Sequence, residues 1–443
     1  MNSNLKYGIR DVPKKWYEWI IYPLQQVLAV FVATVLIANL CHTPPSACLF
    51  GACIGTLIYQ VITKFKSPMF ISSCGATVSA VLGALTSTGA KWDAVNEVWV
   101  GTPNYLMVAC GGLIILAIYS IFALIVRLTG VKTINKIFPP TIVGAVTMVI
   151  GLNLATFISG YTQIGGVHSD IGIIIAIFTM LVTAVVSQYG KGFMKNIPFL
   201  FGLAAGYIVA VILTVTNVSP LVNFSYFNNL NDWRKWIPDF VCVKWDFATD
   251  WSWSALGKTC LFFVPVGTCA LLEHYSDHKT LSNIIGTDLT IEPGLHRTLI
   301  GDGVASAIGT ITCGLPNTSY GESIATTGFS KVASVWIITA AAAFLGLLSF
   351  IAPVQAAIQS IPACVFGGCA MILYGYIAAS GLKTLINNRV DLENNKNLII
   401  VAVILTVGVS GIFLFDAAFS GVALAMVLGV ILNLILRERK QSL

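Results

Sequence analysis

Charge is scarce in this chain: Asp, Glu, Lys and Arg make up only 10% of its 443 residues, against roughly 25% in a typical soluble domain. A water-facing surface cannot be built from that. With 56% hydrophobic residues and a mean hydropathy of +0.83, a soluble globular fold is excluded. No polar stretch is long enough to be a separate domain, so the chain reads as one membrane domain despite a length that would suit two or three soluble ones. CxxC spacing is absent from the eleven cysteines, most of which sit inside apolar runs; they read as small packing residues, not disulfides or metal ligands. Histidine is sparse too. His274 and His278 have helical ligand spacing, but only His296 could join them, which disfavours a membrane enzyme with a histidine-built metal site.

Long hydrophobic runs are what the sequence does have. A bilayer core of about 30 Å needs roughly 20 apolar residues per helix. Eleven segments approach that length, at about 19–41, 46–63, 104–126, 138–159, 171–187, 199–216, 256–273, 333–352, 354–379, 397–415 and 417–436. The first is too long for a signal-peptide core and reads as a retained helix. Three weaker segments, 68–86, 298–313 and 317–330, are short, rich in Gly, Ser and Thr, or interrupted by Asp302 and Glu322. Counting all fourteen as crossings, with both termini in the cytoplasm, places every Lys and Arg inside except Lys91, Arg234, Lys235, Lys244 and Lys258. Dropping one weak crossing scrambles this bias. The net charge of +6 then faces anionic lipid and does not signal nucleic-acid binding. Between 217 and 254, a polar stretch with five tryptophans suits an outer interface loop.

Two short matches suggest an internal repeat. Phe138-Pro139-Pro140 through Gly144, then Met148, matches Ile361-Pro362-Ala363 through Gly367, then Met371. Ser67-Pro68 with Ser72-Ser73-Cys74-Gly75 matches Leu315-Pro316 with Ser319-Tyr320-Gly321-Glu322. These pair crossing 5 with 12 and crossing 3 with 10, so the halves are seven crossings each and, seven being odd, inverted. The expected fold is an all-α membrane protein, a 7+7 inverted repeat with broken or strand-containing segments at crossings 3 and 10. Such segments point to a midplane site where helix N-termini and free backbone N–H groups meet a ligand.

An ionisable group in hydrocarbon costs about 2.5 to 3.5 kcal/mol on insertion scales, so each needs a reason. Glu322 is enclosed by apolar and small residues and reads as functional. Glu273 opens the string Glu273-His274-Tyr275-Ser276-Asp277-His278, in which Glu273 and Asp277 share one helix face and His274 and His278 the next. Two acids sheltered on one face can take up and release a proton; the bland alternative is the hydrated end of a helix. Asp302, between Gly301 and Gly303, reads as a structural acid bonding backbone or a Ser/Thr neighbour.

The chain resembles the nucleobase-ascorbate transporters (nucleobase:cation symporter-2), most closely their uracil-permease branch. The resemblance rests on Leu24-Gln25-Gln26 with Ala33-Thr34-Val35-Leu36, Ser72-Ser73, Glu273-His274, Asp288 with Pro293-Gly294-Leu295-His296-Arg297, Pro316 through Glu322, and Tyr374-Gly375 with Ala379-Ser380-Gly381. It implies a core domain (1–127 and 255–352) moving against a gate domain (128–216 and 353–437), an outer loop at 217–254, a cytoplasmic tail at 438–443, and a homodimer in the cell's inner membrane. It further implies that Glu273 and Glu322 bind the base while Cys74 and Gly321 offer backbone N–H groups, with Ser73 beside them. That agrees with a uracil edge, which alternates donors and acceptors and needs carboxylate acceptors and backbone donors in an apolar pocket. Gln26, Cys74, Asp277, Ser323 and Ala325 depart from the family pattern, which bears on substrate identity: Glu322 favours a pyrimidine, while Asp277 and Cys74 lean toward a bulkier base.

The expected function is a proton-coupled nucleobase importer, with uracil first and xanthine or urate second, the proton carried by Glu273 with Asp277 and no other cofactor or metal. Gln26, His274, His278, Asp302 and Ser323 stand as structural or unassigned residues. The rival is an anion transporter of the sulfate or bicarbonate type on the same architecture, disfavoured by carboxylates where a cation or bare helix ends belong.

Overall fold

The computed structural model describes residues 5–93, 98–130, 139–156, 158–164, 167–191, 194, 197–228, 230, 232–412 and 421–436. Helices α1 (Glu18–Leu40) and α2 (Pro45–Ile62) lead into a three-residue strand, β1 (Ile71–Ser73), and a half-length helix, α3 (Val78–Leu85). Next come α4 (Tyr105–Thr129), α5 (Pro140–Ala155), α6 (Asp170–Tyr189) and α7 (Pro198–Val215). The 33-residue α8 (Trp253–Ile285) and α9 (Leu295–Cys313) then lead to a second short strand, β2 (Asn317–Ser319), and a second short helix, α10 (Gly321–Ser330). The chain continues with α11 (Val335–Leu348), α12 (Ala352–Ser360), α13 (Ala363–Asn387), α14 (Asn395–Val409) and α15 (Gly421–Ile435).

Local chemistry sets these boundaries. Proline opens α2, α5 and α7 at a position whose N–H would be unpaired anyway. Asn104, Ser169 and Ser252 cap α4, α6 and α8 by accepting the N–H of Met107, Gly172 and Ala255. Gly286 and Gly314 end α8 and α9 in the left-handed conformation that glycine adopts without steric cost. Among the described residues, eight helices are long and apolar enough to cross a membrane.

Packing sorts the helices into two groups. α9 lies against α2 and α4, with α1, α8 and α11 beside them; α13 lies against α5 and α6, with α7, α14 and α15 completing the second group. α8 touches both, through α5 and α15. Small residues let backbones close up where no water drives them together. A Cβ on Gly112 of α4 would sit 1.9 Å from Thr310 Oγ1 of α9, and one on Gly151 of α5 would sit 2.4 Å from the Ala378 amide of α13.

One expected span looks different in the structure. The apolar run at 354–379 is divided by Ile361-Pro362 into α12 and α13, because proline lacks the N–H that would continue the helix and restricts the residue before it; α12 also bends 80° from α11. The weak segments 68–86 and 317–330 each contain a strand followed by a short helix. In the tryptophan-rich loop, short turns at Phe224–Phe227, Trp233–Trp236, Val241–Lys244 and Phe247–Asp250 precede α8, which claims Trp253. Phe138, Lys132, Lys136, Lys195, the start of the last expected span at 417–420 and the 438–443 tail, like Arg437, lie outside the described residues.

Candidate functional site

β1 and β2 pair antiparallel, with Ile71 opposite Ser319, Ser72 opposite Thr318 and Ser73 opposite Asn317. All six residues are buried, and the ladder gives their backbone groups partners where there is no water. Each strand turns directly into a helix, so two helix N-termini, with their unpaired N–H groups and positive dipole ends, lie inside the protein. At α10 that terminus is Gly321, which is exposed; a Cβ there would meet nothing within 4 Å. Glu322 follows in the first turn, half-buried.

Neighbouring faces of α8 do different work. Glu273, Ser276 and Asp277 are half-buried and Thr280 is exposed, whereas His274 and His278 are fully buried on the back. Asp277 Oδ2 accepts a hydrogen bond from Ser319 Oγ at 2.7 Å, which ties α8 to the last residue of β2. On the back, His274 Nδ1 lies 2.5 Å from Asp302 Oδ2, and that oxygen also accepts from Thr318 Oγ1 at 3.1 Å. Across the ladder, Ser72 Oγ lies 2.7 Å from Thr34 Oγ1; the Thr34 hydroxyl donates to the Val30 carbonyl, so Ser72 is the donor. The carboxyls of Glu273 and Asp277 each lie near those of Glu322 and Asp302, and near each other.

The structure therefore gathers Glu273, Asp277, Glu322, Gly321 and Cys74 around the strand crossing. One expectation needs correction. The Cys74 N–H donates to the Pro316 carbonyl at 2.8 Å, so it is not a free donor for a ligand; the antiparallel register takes it up. The Gly75 N–H, which begins the following turn, has no carbonyl one turn earlier to bond, while the Ala76 N–H meets the Cys74 side chain. Ser73 is fully buried. Gln26 lies away from the acids in role: its Nε2 donates to Thr327 Oγ1 at 3.2 Å, bracing α10 from α1. Ser323 is buried on the inner side of α10. Asp302 bonds a threonine, as its glycine-flanked setting suggested, and a histidine as well.

His278 has both ring nitrogens taken, by the His274 carbonyl and by Tyr59 OH, which leaves none for a metal. Among the described residues, no group of three or more His, Cys, Asp or Glu is disposed to hold one. Sequence reasoning missed Thr34, Tyr59, Thr318 and Ser319. For Thr318 and Ser319 the only signal was the density of hydroxyl residues in the weak segment 317–330, which says nothing about which acid each one meets; Thr34 and Tyr59 lie in strong hydrophobic runs that gave none.

The model of a permease family, Xan_ur_permease, matches residues 17–417. The chain is 34% identical to a uracil permease of Bacillus subtilis (strain 168) over 99% of its own length and 97% of that protein's. It is also 34% identical to a uracil permease of Escherichia coli (strain K12), over 94% and 90%. Among solved structures, the transmembrane domain of the cyanobacterial bicarbonate transporter BicA is similar with a TM-score of 0.66 at 14% identity, covering 97% of this chain and all of that one. The structure of SLC26A9 is similar with a TM-score of 0.63, also at 14% identity, over 94% of this chain and 66% of that one. At such identities these two likenesses concern the fold alone.

Proposed function

This chain belongs to the nucleobase-ascorbate transporter family, and from that premise we propose that it is a proton-coupled nucleobase importer, with uracil its first substrate and xanthine or urate its second. The observation that carries the reading is the pairing of two half-buried carboxyls, Glu273 on α8 and Glu322 on α10, with a helix N-terminus at Gly321 that opens onto free space. A uracil edge presents N–H donors beside C=O acceptors; the carboxylates accept from the first, and the Gly321 amide donates to the second. Gly75 adds a donor from the other strand-helix junction in place of Cys74.

Proton coupling rests on Glu273 with Asp277. The accessible stripe of Glu273, Ser276, Asp277 and Thr280 descends α8 toward its C-terminal end, and Gly321, Glu322, Ala325 and Phe329 form a parallel stripe on α10. With the N-terminus inside, both stripes run from the site to the cytoplasmic face. The topology that goes with this reading has fourteen crossings in two inverted halves, the first helix group acting as core and the second as gate, in a homodimer of the inner membrane.

A bicarbonate transporter and SLC26A9 share the fold. Four carboxyls around the strand crossing, from Glu273, Asp277, Asp302 and Glu322, oppose an anionic cargo. Uptake of labelled uracil into vesicles under an imposed pH gradient tests the proposal. Gradient-dependent uptake is expected; no uptake of any nucleobase at any pH ends it, and a nucleobase-independent sulfate or bicarbonate flux replaces it.

A further inference from the structure

The back face of α8 carries a second hydrogen-bonded set that the recognition site does not use. His278 Nδ1 lies 2.9 Å from the His274 carbonyl oxygen. A carbonyl only accepts, so Nδ1 carries the hydrogen and Nε2 of the neutral ring is the acceptor. Tyr59 OH, 2.7 Å away on α2, must then donate to it. The Ser67 hydroxyl, 2.9 Å from Tyr59 OH, donates to the tyrosine oxygen in turn. Tyr59, Ser67 and His278 are all fully buried, so none of them can touch a ligand.

What this chain of donors joins is informative. Ser67 begins the segment that runs into β1 and the amides after it. That segment is held from the same turn of α2, where Gln60 Nε2 donates to the Ser67 and Met69 carbonyls at 3.0 and 3.1 Å. His278 is on the helix that presents Glu273. Two hydrogen bonds in series, Ser67 to Tyr59 and Tyr59 to His278, thus link the segment entering the strand that brings the backbone donors to the helix that brings the carboxylate acceptor. The Asp277–Ser319 tie from α8 reaches only β2, and the His274–Asp302 tie reaches α9.

We propose that Tyr59 and His278 are a positioning pair for substrate recognition, fixing the separation between the Glu273 carboxyl and the amides that follow β1. This rests on the assignment of Glu273 to the base. Without the Tyr59 hydroxyl, α8 and β1 keep their places in the fold but lose their mutual register at the site. His278 Nε2 then keeps only the Ser67 hydroxyl, 3.5 Å away, and the lost register falls on the affinity of the bound state and not on the rate of the transport cycle.

The test is uracil uptake by the full-length protein in proteoliposomes, read as KM and Vmax, with the melting temperature of the ligand-free protein measured alongside. Tyr59→Phe and His278→Leu are each expected to raise KM about tenfold, the scale of one lost buried hydrogen bond, with Vmax within about twofold of the parent. The double variant is expected to be no worse than either single one, since both remove the same bond. His278→Gln, whose amide oxygen can still accept from Tyr59, is expected to stay near the parent KM. Parent-like KM in Tyr59→Phe, or effects that multiply in the double variant, would overturn the pair while leaving the carboxylate site standing. Absence of uptake by the parent protein would remove both. Should Tyr59→Phe not fold, Ser67→Ala decides: a raised KM supports the pair, and an unchanged one refutes it.

Discussion

The two strand-helix junctions at the centre of the protein are built alike and equipped differently. Each begins with a proline, Pro68 or Pro316, which favours extended backbone in the residue before it. Each has a three-residue strand and feeds a short helix, and the two strands bond to each other. At the first junction the leading amide, Cys74 N–H, is taken by Pro316, and a Cβ on Gly75 would meet Ile37 Cδ1 and Leu154 Cδ1 at 3.7 and 3.8 Å. At the second, Gly321 faces open space and Glu322 stands in the first helical turn, where the helix dipole favours a negative charge. The β2 side chains, Thr318 and Ser319, hold the acids Asp302 and Asp277. One junction is closed by packing while the other is left open and charged, so recognition falls mainly on the second and the first serves as its brace.

The sharpest way to break this contrast is to neutralise the charged junction. Glu322→Gln keeps the side-chain volume and the helix but replaces a carboxylate oxygen with an amide N–H that meets a base N–H donor to donor. Uracil KM is expected to rise by about 100-fold or more, or preference to pass to a purine, because a site built around a polar partner strongly rejects a mismatch. Concentration-dependent uptake of uracil and xanthine in proteoliposomes reads this directly, and unchanged uracil kinetics would remove Glu322 from the site.

A pair of valines tests the open junction against the closed one. Gly321→Val adds bulk into empty space in front of the α10 amides, so KM is expected to rise about tenfold while the melting temperature holds, the loss being one blocked hydrogen bond. Gly75→Val should do the reverse at the level of folding. Its Cβ fits, but its methyls press on Ile37 and Leu154, an overpacking that costs about 1–3 kcal/mol. Equal effects of the two substitutions on KM would mean that the junctions share recognition evenly.

Much of this contrast was legible from residues alone, for identifiable reasons. Glu322 stood out because a carboxyl amid apolar and small residues has no cheap structural explanation in a membrane. Two of the three weak segments, 68–86 and 317–330, stood out because Pro, Gly and hydroxyl residues interrupt hydrophobic runs, and both contain a strand. The lone run at 354–379 misled because hydropathy counts Pro362 as one residue in a window, while the backbone treats it as a stop. The Cys74 amide was misassigned because its partner, Pro316, is distant in sequence and fixed only by the antiparallel register. The back-face histidines were invisible for a related reason. Spacing places His274 and His278 on one face of a helix but cannot say that Asp302 and Tyr59 approach it from two other helices.

The smallest expected effects come from the hydroxyls inside the ladder, and they separate its two strands by chemistry alone. Ser72 donates to Thr34, whose own hydroxyl is already committed to the Val30 carbonyl. Ser72→Ala therefore deletes one neutral bond without leaving a charged group bare, and should cost about 1 kcal/mol. Thr318→Val keeps the branched shape but removes a donor from Asp302, which retains His274 as partner; hydrogen bonds to a charged group are stronger, so about 1.5–3 kcal/mol is expected. Melting in detergent ranks the two, and uptake should follow the same order because Thr318 also fixes the strand that delivers Gly321. A Ser72 variant that melts lower than the Thr318 variant would place the structural weight on β1 and invert the division of labour between the junctions.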